Sequence, residues 1–507
     1  MLKGLITLLF CAVVALVVGQ TSAVGFNRDP LSALDFKVSK YPFKQPEHEG
    51  IQPAAKGLEN QFIGLVDSIR RTDVYGSTFE TRPVFNLGAG FGKEGATFGN
   101  YAGAGLFFHH KDKLYIEAQY AMGLRLGTEF TRQFGDSLNI LPGMGFARKA
   151  ADGAYFAHIP SGSISYKAGK YFHFELGNGK HFWGFGYRSL ILGDHGAPMP
   201  YFRLTTRVWK VKYTSLFLKL KDISTTNQLN QARGKYAALH SLSWNATSRL
   251  NFSIYEMVIW QDRDTLNRRN LDLNYLNPLL FYRPVEFAQG SADNVLIGAG
   301  ARYRVSKNTT LYAQFILDEF LLKEIREKTG WWANKYGGQL GLKAVDVIIP
   351  GLGIQSEVNA VRPFTYTHGS PVQAWGHLNQ PLAHPLGANF YEWVNFIGYR
   401  WKKWRIREQF TWATFGRDEN GQNLGGNVFQ SYASPSKPYD NFTLQGDRHI
   451  FHYHELLVSR ELEKLKGWEV YASHGMRWDK SQTQKTFDHW IMFGVRVTSD
   501  LWSRVDY

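Results

Sequence analysis

Hydrophobic and polar side chains alternate with a period of two along most of this chain. In VLIGAGARYRV (residues 295–305) the odd-numbered positions are apolar, and the even-numbered positions from 298 onward are glycine or arginine. In LYAQFILDEF (residues 311–320), Phe315 faces away from Gln314 and Asp318. Because successive side chains of a β-strand point to opposite faces, this pattern predicts strands that separate an apolar environment from a polar one.

The predicted strands are long, and no convincing long helix separates them. About eighteen such segments lie between Arg82 and Thr498, each of about 9–12 residues, the length that a tilted strand needs to cross a bilayer. Strands of soluble proteins average only about 5–6 residues. A soluble sheet would also need a second sheet over its apolar face. We therefore predict an all-β fold: a transmembrane antiparallel β-barrel of about 18 strands with inward plug loops and minor helical elements. The alternative is a β-rich secreted protein such as a lectin.

The N-terminus has the pattern of a secretion signal. Lys3 precedes an apolar run at residues 5–18, and the small residues at 21–23 fit a cleavage site. We predict a signal peptide at residues 1–23. The single cysteine, Cys11, lies inside it, so the exported chain is expected to have no disulfide and no reactive thiol.

Two further regions follow the predicted signal. Residues 24–81 are predicted to form an N-terminal periplasmic segment with a short amphipathic helix, and residues 82–507 the outer-membrane barrel. The helical face is formed by Leu58, Phe62, Leu65 and Ile69. The last predicted strand, near residues 489–497, and the terminal Tyr507 resemble the signal that barrel-assembly machinery reads. We therefore expect insertion by that machinery into the cell outer membrane as a multi-pass barrel.

Composition and charge narrow the partners. Aromatic residues make up 15% of the chain, yet the mean hydropathy is −0.30, which argues against a helical membrane protein. The formal net charge is +15, and losing Lys3 with the signal would lower it to +14. A strongly basic exported protein favours acidic partners such as surface polysaccharide and lipopolysaccharide phosphates. Export argues against nucleic acid.

The stretch GNGKHFWGFGYRS (residues 177–189) has four glycines among aromatic and basic residues. A phosphate-binding loop would need a glycine where Phe174 stands and a hydroxyl residue where His181 stands. The stretch is therefore interpreted as a loop folded into the barrel. The loops at 127–160, 177–201 and 263–292 are predicted to fill the lumen. The plug and lumen network, more readily structural than ligand-binding, is predicted to comprise His181, Trp183, Tyr187, Arg188, Arg283 and Glu286.

A second group of residues forms a candidate polysaccharide-binding surface. Exposed rings can stack on sugar faces, and loop arginines can attract an acidic glycan. The rings are Trp331, Trp332 and Trp375, and the arginines are Arg263, Arg268 and Arg269. For the tryptophan pair, a membrane-interface girdle is the favoured alternative.

No catalytic residue, cofactor or metal site is predicted. His452, His454 and Glu455 are close in sequence, but alternation puts the two histidines on one face without a defined third ligand. We interpret them as part of a solvated stripe on the lumen face. Scattered serine, histidine and aspartate residues leave catalytic pairs possible, but no spacing singles one out. The expectation is a protein that is not an enzyme.

Several ordered stretches carry a family resemblance over roughly residues 80–500. They are GNGKHFWGFGYRSLIL, PYFRLTTRVWKVKYTSLFLKLKD, NPLLFYRPVEF and LYAQFILDEF. Together they resemble the Wzi-type capsule-assembly outer-membrane barrels, in the branch found in Bacteroidota, which includes a gliding-motility barrel. The resemblance implies an eighteen-stranded barrel with an occluded lumen that binds and organises surface polysaccharide without covalent chemistry. The short region before the first strand departs from the enterobacterial pattern, in which a helical periplasmic plug occurs.

Two functional hypotheses follow from these observations. The first is a barrel that binds or organises capsular or exopolysaccharide at the cell surface. The second is an accessory outer-membrane barrel of a gliding-motility or protein-secretion machinery, which would need a protein partner. Basic and aromatic loops serve either function, so the sequence leaves both open.

Overall fold

The computed structural model describes residues 51–53, 71–74, 77–111, 113–150, 153–223, 229–263, 269, 272–276, 293–433, 435–462, 465 and 468–497. Eighteen antiparallel strands form one closed barrel, which confirms the predicted fold class. The wall strands are β1 Ser77–Gly92, β2 Gly95–His110, β3 Leu114–Leu126, β4 Tyr155–Ala168, β5 Phe172–Gly179, β6 Met199–Val208, β7 Val211–Asp222, β8 Arg233–Asn245, β9 Leu250–Gln261, β10 Asn294–Arg304, β11 Thr309–Glu319, β12 Lys335–Val345, β13 Leu352–Val361, β14 Phe390–Trp401, β15 Trp404–Arg417, β16 Asp447–Glu461, β17 Trp468–Lys480 and β18 Lys485–Val497.

Each wall strand pairs with its sequence neighbours, and the last strand pairs with the first. β18 and β1 are antiparallel, with Arg496 opposite Asn86 and Trp490 opposite Gly92. Closure leaves no wall strand with an unpaired edge, which is the condition for a sheet to lie in lipid.

Short elements accompany the wall. The helices are α1 Glu129–Leu138 and α2 Leu322–Arg326, and within the described ranges no helix has the length and apolar character to cross a membrane. The 3₁₀ turns are Leu229–Gln231, Leu273–Leu276 and Pro371–Gln373. The short strands are Ile51–Pro53, Arg71–Val74, Ile140–Leu141, Gly145–Phe146, Arg148–Lys149, His181–Trp183, Gly376–His377 and Gln380–Pro381.

Side chains alternate between the lumen and the outer face along every wall strand. In β14, Phe390, Glu392 and Val394 are buried toward the lumen, while Tyr391 and Trp393 are exposed on the outside. The outer side chains of most strands are apolar, as the alternation in the sequence predicts.

One prediction about this alternation is wrong. His452 and His454 are on the outer face of β16, not on a lumen stripe, because the lumen positions of that strand are the odd-numbered ones. Glu455, on the lumen side, pairs instead with Arg407 of β15 at 3.1 Å. Among the described residues, no group of histidine, cysteine and carboxylate side chains could hold a metal ion.

The two ends of the barrel differ in the length of their connections. At one end the strands are joined by short turns such as 169–171, 209–210 and 402–403. At the other end lie the longer connections, which are 127–154, 180–198, 223–232, 262–293, 320–334, 362–389 and 418–446. In outer-membrane barrels the short turns are periplasmic and the long loops extracellular, so this asymmetry orients the barrel.

Exposed tryptophans lie near both ends of the outer wall. Trp209 is in a short turn and is 76% exposed, and Trp401 and Trp404 flank another short turn. Trp393 and Trp478 are on the outer face near the long-loop end. Such belts mark the two interfaces of the apolar zone.

Loops fill the lumen, and two of them are among the three that were predicted. In connection 127–154, Leu141 and Met144 pack on wall residues such as Tyr101, and connection 180–198 packs on β7 to β11. Connection 362–389 is also inside. The third predicted plug loop differs, because its described part places Tyr275 against Trp260 on the outer face of β9, with ring centroids 4.8 Å apart.

Some glycines of the wall strands leave space for an aromatic ring of the neighbouring strand, in addition to allowing the sheet to curve. A Cβ atom on Gly341 would lie 2.2 Å from the ring of Tyr312 on the next strand. A Cβ atom on Gly475 would lie 2.3 Å from the ring of Trp490. These positions therefore need glycine, because an aromatic ring of the next strand lies directly against the backbone. The ring that packs on Gly341 has its hydroxyl, that of Tyr312, inside the lumen.

Several predicted features lie outside the described residues. These are the signal peptide at 1–23, the helix over 58–69, the terminal residues 498–507, and the side chains of Arg268, Arg283 and Glu286. The first wall strand begins at Ser77, earlier than the predicted boundary at residue 82. Upstream of it, Ile51–Pro53 pairs antiparallel with His181–Trp183 of an inward loop.

The closed barrel predicts a characteristic behaviour in detergent. The unheated protein should migrate faster on a gel than the boiled protein, and it should stay in the membrane fraction after carbonate extraction. Both follow because a closed sheet with an apolar exterior keeps its fold in detergent until it is heated. Recovery of the folded protein as a soluble periplasmic or secreted species would contradict membrane insertion.

Candidate functional site

An inward loop of the barrel is held by two carboxylates from the wall. The loop follows β5 and includes Tyr187 and Arg188. The backbone amides of these two residues donate to Glu357 of β13 at 2.6 and 2.9 Å. The Arg188 guanidinium donates to Glu392 of β14 through Nε at 3.1 Å. Because both carboxylates are on lumen-facing positions of neighbouring strands, they fix the loop to one side of the wall.

Neutral donors complete this contact. Asn359 donates to Glu357 at 2.9 Å and to Glu392 at 2.8 Å, so one amide bridges the two carboxylates. The Tyr312 hydroxyl donates to Glu357 at 2.8 Å. A buried carboxylate is tolerated only when its oxygens are fully paired, and these donors supply that pairing.

His384 connects the same site to a second inward loop. Its Nε2 lies 2.8 Å from Glu392, and its Nδ1 accepts the backbone N–H of Leu386 at 3.2 Å. Burial lowers the pKa of His384 below its usual range, against the effect of the neighbouring Glu392. A neutral imidazole with its proton on Nε2 fits both contacts, so His384 acts as a donor to the carboxylate.

An apolar core inside the lumen packs the two inward loops together. Leu190, Ile191 and Leu192 are buried, and the Tyr366 hydroxyl and Trp375 Nε1 of connection 362–389 donate to carbonyls in this segment at 2.7 and 2.8 Å. Wall residues on β7 to β11 complete the core: Leu216, Leu218, Leu220, Leu239, Met257, Ile259, Leu296 and Ile316. Beneath the two loops, the lumen face of β7 to β11 therefore supplies an apolar core, and that of β13 and β14 supplies the carboxylates.

The glycine-rich stretch at 177–189 occupies this interior. His181 and Trp183 are buried, and the His181 ring meets the Tyr201 ring edge-on at a centroid distance of 4.2 Å. Burial, with a contribution from nearby Arg203, holds the pKa of His181 well below its usual value. Tyr187 packs on Phe396 of β14 at 4.4 Å. The stretch is a plug segment with an uncharged histidine, not an anion-binding loop.

A cluster of aromatic rings lies at the long-loop end, and we call it the mouth cluster. It comprises Trp331, Trp332, Phe364, His368 and Tyr432. The Trp332 ring is 5.0 Å from Tyr432 and 5.8 Å from Phe364, so it packs on the inward loops and does not belong to a membrane girdle. Trp331 is half-buried at the edge of the cluster, 6.2 Å from Trp332.

A buried lysine lies beneath the mouth cluster. Lys335 is 0% exposed, and its Nζ is 4.0 Å from the Tyr432 ring centroid and 5.4 Å from that of Trp332. The same atom lies 3.2 Å from a carboxylate oxygen of Glu319. A cation over two ring faces beside one carboxylate orients the rings, because the faces carry negative potential.

The other predicted binding residues are in different environments. Trp375 is 1% exposed inside the plug and is not available as a stacking ring, which corrects its predicted exposure. Arg269 is paired with Asp293 at 2.7 Å and Asp272 at 3.1 Å, so its charge is already compensated. Arg263 is exposed at the long-loop end.

Sequence reasoning did not identify the wall residues that hold the plug. Glu357 and Glu392 were not singled out, nor were Lys335 and Tyr432 as parts of the mouth cluster. Strand parity contained a signal for Glu357, because it falls on a lumen position between Gln355 and Asn359. It contained less for Glu392, whose neighbouring lumen positions are Phe390 and Val394. Their common partner, Arg188, is remote in sequence, and no local pattern indicates that contact.

The closed sheet, its apolar exterior and the asymmetry of its connections define the class: the chain is a membrane-integral β-barrel of the outer-membrane type. No protein-family profile matches the chain, and no curated protein matches it. Among solved structures, it is similar to Wzi of Escherichia coli, described as an outer-membrane carbohydrate-binding β-barrel involved in group 1 capsule assembly. The identity is 13%, the TM-score is 0.50, and the match covers 82% of this chain and 84% of that one.

Two further similarities are to OprD of Pseudomonas aeruginosa and OccAB2 of Acinetobacter baumannii. OprD is 9% identical, with a TM-score of 0.45 and coverage of 83% of this chain and 95% of that one. OccAB2 is 10% identical, with a TM-score of 0.43 and coverage of 83% and 98%. At 13% identity, the similarity to Wzi shows the barrel fold alone.

Proposed function

We propose that this barrel binds surface polysaccharide at its extracellular mouth and holds it at the cell surface without covalent chemistry. The observation that carries the proposal is the mouth cluster, in which Trp331 is half-buried above a packed base of rings. Large rigid rings offer contact area at little conformational cost. The base is already ordered by Lys335 and Tyr432, so binding would not have to order it.

The surroundings of the mouth cluster favour an extended acidic glycan. Tyr439 is exposed on connection 418–446. The backbone N–H of Trp332 donates to the carbonyl oxygen of Pro438 in the same connection at 3.0 Å. Lys323, Arg326 and Lys328 are exposed in the connection that carries Trp331. Cations of this kind attract polyanions over about 8–10 Å at physiological salt. The similar barrel Wzi is described as carbohydrate-binding, which also supports this assignment.

The proposal predicts a loss of binding when one ring is removed. Trp331→Ala should weaken the binding of cell-surface polysaccharide by about 1–2 kcal/mol, roughly 5- to 30-fold, because an anchoring ring is lost. Binding is measured by titrating purified barrel with polysaccharide from the native strain, and cell-bound glycan is measured in the mutant strain. Raising the salt concentration should weaken polysaccharide binding by the wild-type protein.

A matched control separates stacking from folding. Trp209→Ala removes an exposed ring at the opposite, short-turn end and should leave polysaccharide binding unchanged. Both variants should keep the heat-dependent gel shift of a folded barrel. Unchanged polysaccharide binding by folded Trp331→Ala would show that the mouth cluster is not the binding surface.

The second candidate, an accessory barrel of a motility or secretion machinery, has its own support at the short-turn end. The turn at 346–351 exposes three consecutive apolar residues, and Ile348 among them is 73% exposed. An exposed apolar turn on the periplasmic side fits contact with another protein. Deleting the gene discriminates the two functions, since loss of capsule supports the first and loss of spreading with intact capsule supports the second.

A further inference from the structure

One arc of the outer wall, at β13 to β17, carries partly exposed polar side chains at membrane depth, whereas the outward His240 and Glu256 of β8 and β9 are buried. On β13 and β14, Ser356 donates to Asn395 at 2.7 Å, and both side chains point outward. On β15 and β16, Glu408 and His454 form an outward pair at 3.1 Å, with side chains 49% and 28% exposed. His474 adds a further outward imidazole on β17.

These residues lie between the two aromatic belts. Along β15 outward positions alternate from Trp404 at the short-turn end to Trp412, and Glu408 falls midway. Four residues of a tilted strand rise about 10 Å, so Glu408 is well inside the apolar zone. Register places Trp412 opposite Trp393 on one side and His452 on the other, in the belt at the long-loop end. Lipid head groups therefore do not reach this depth.

On the opposite arc of the wall, β3 and β5 have the apolar outer surface that contact with lipid alone requires. The outward residues of β5 are Phe172, Phe174 and Leu176, followed by Asn178 at the long-loop end of the strand. The outward residues of β3 are all apolar: Leu114, Ile116, Ala118, Tyr120, Met122 and Leu124. Charged or hydrogen-bonding side chains at membrane depth cost free energy and mark a functional surface. The arc of β13 to β17 therefore has a requirement beyond contact with lipid.

Hydrogen-bonding capacity on this arc is incompletely used within the described part of the chain. The Nδ1 atom of His454 and the Nδ2 atom of Asn395 are buried and have no hydrogen-bond partner there. His474 makes no ion pair with any described residue. In an apolar medium each unsatisfied group favours an additional polar partner.

The arrangement of acid and base identifies the partner. Glu408 and His474 fall in one register row and flank Leu456, since Glu408 is opposite Leu456 and Leu456 is opposite His474. A two-fold axis along the membrane normal, passing beside Leu456, would bring Glu408 of one copy to the same side as His474 of the partner subunit. Strand tilt offsets the two residues in height by about 6 Å, a gap within the combined reach of the two side chains. A surface with an acidic side chain on one side of an apolar residue and a basic side chain on the other is complementary to itself under a two-fold rotation.

We propose that two copies of this barrel associate in the membrane through the outer face of β15 to β17, with Leu456 at the axis. This goes beyond polysaccharide binding and does not depend on it. In this contact Glu408 of one copy pairs with His474 of the partner subunit, and the reverse pair forms by symmetry. The contact also shields the polar row from lipid. The two mouth clusters then face the same side of the membrane, because the axis is parallel to the membrane normal.

Cysteine cross-linking in native outer membranes tests the association. Cys11 is the single cysteine and lies in the predicted signal, so Leu456→Cys gives one thiol on the exported barrel. Mild oxidation should convert most of this variant into a covalent species of twice the monomer mass. Ala118→Cys, on the apolar outer face of β3, is the matched control and should remain monomeric.

A charge exchange makes the test specific for the proposed contact. Glu408→His alone and His474→Glu alone should each lower the cross-linking of Leu456→Cys several-fold, and the two together should restore it. The heat-dependent gel shift reports whether each variant is a folded barrel. A folded Leu456→Cys barrel that stays monomeric, cross-links as readily as the control, or joins a protein of another mass would overturn self-association.

Discussion

Arg188→Ala should turn a closed barrel into a conducting one. The substitution leaves Glu392 buried without its guanidinium partner, while Glu357 keeps its contacts with the loop backbone. Removing one member of a buried ion pair costs about 3–5 kcal/mol, because the remaining charge is uncompensated. That cost falls on the inward loop 180–198, since the wall is held separately by its closed hydrogen-bond ladder. We therefore expect the loop to leave the lumen while the barrel stays folded.

Planar-bilayer recordings measure this opening directly. The wild-type protein should show little conductance, because inward loops fill a barrel that would otherwise be a wide channel. Arg188→Ala should show large, frequent single-channel steps. Arg263→Ala, which removes an exposed arginine from a different long connection, should stay closed.

A second variant separates charge from general damage. Arg188→Met combined with Glu392→Gln removes the paired charges and keeps similar volumes, so it should restore most of the closure. Large steady steps from the wild type would instead mean that the lumen is open, and would favour a porin or a polysaccharide exporter.

Much of the wall was predictable because its rule is local. The alternation in β10 and in β11 assigns each side chain to lipid or lumen from the sequence alone, and the structure follows it. The strand number followed from counting such segments. The rule failed at His454, because it assumes that every polar side chain of a wall strand faces the lumen. That assumption fails at outward polar residues such as Glu408 and His454.

The plug was less predictable because it depends on contacts between distant parts of the chain. The glycines and rings at 177–189 indicated an inward loop. No local pattern indicated that Glu357 accepts the backbone N–H of Arg188 or that Glu392 pairs with its guanidinium. Trp375 was predicted to be an exposed ring that could stack on sugar. It is buried because the connection 362–389 folds back over Leu190 to Leu192, and only the closed barrel makes that position interior.

Acidification should release the plug. Four loop histidines, which are His181, His368, His377 and His384, have pKa values below their usual range, and burial is the largest cause for each. In the folded plug these rings stay neutral, whereas in a released loop they would titrate near the ordinary value of about 6.5. The released state therefore binds more protons below about pH 6.5, and plug stability is lost as the pH falls.

His377 should make one of these contributions, since its pKa is lowered by burial and by the nearby Lys235 and Lys221 to about 3. At pH 5 a ring that stays neutral in the plug and titrates normally outside it destabilises the plug by about 2 kcal/mol. His377→Gln removes this titration, and its amide oxygen can replace Nδ1 as the acceptor for the backbone N–H of Lys221. Conductance of the wild type should rise between pH 7.5 and pH 5, and the rise should be shifted to lower pH in His377→Gln. If wild-type conductance is the same at pH 7.5 and pH 5, neutral burial of these histidines does not hold the plug in place.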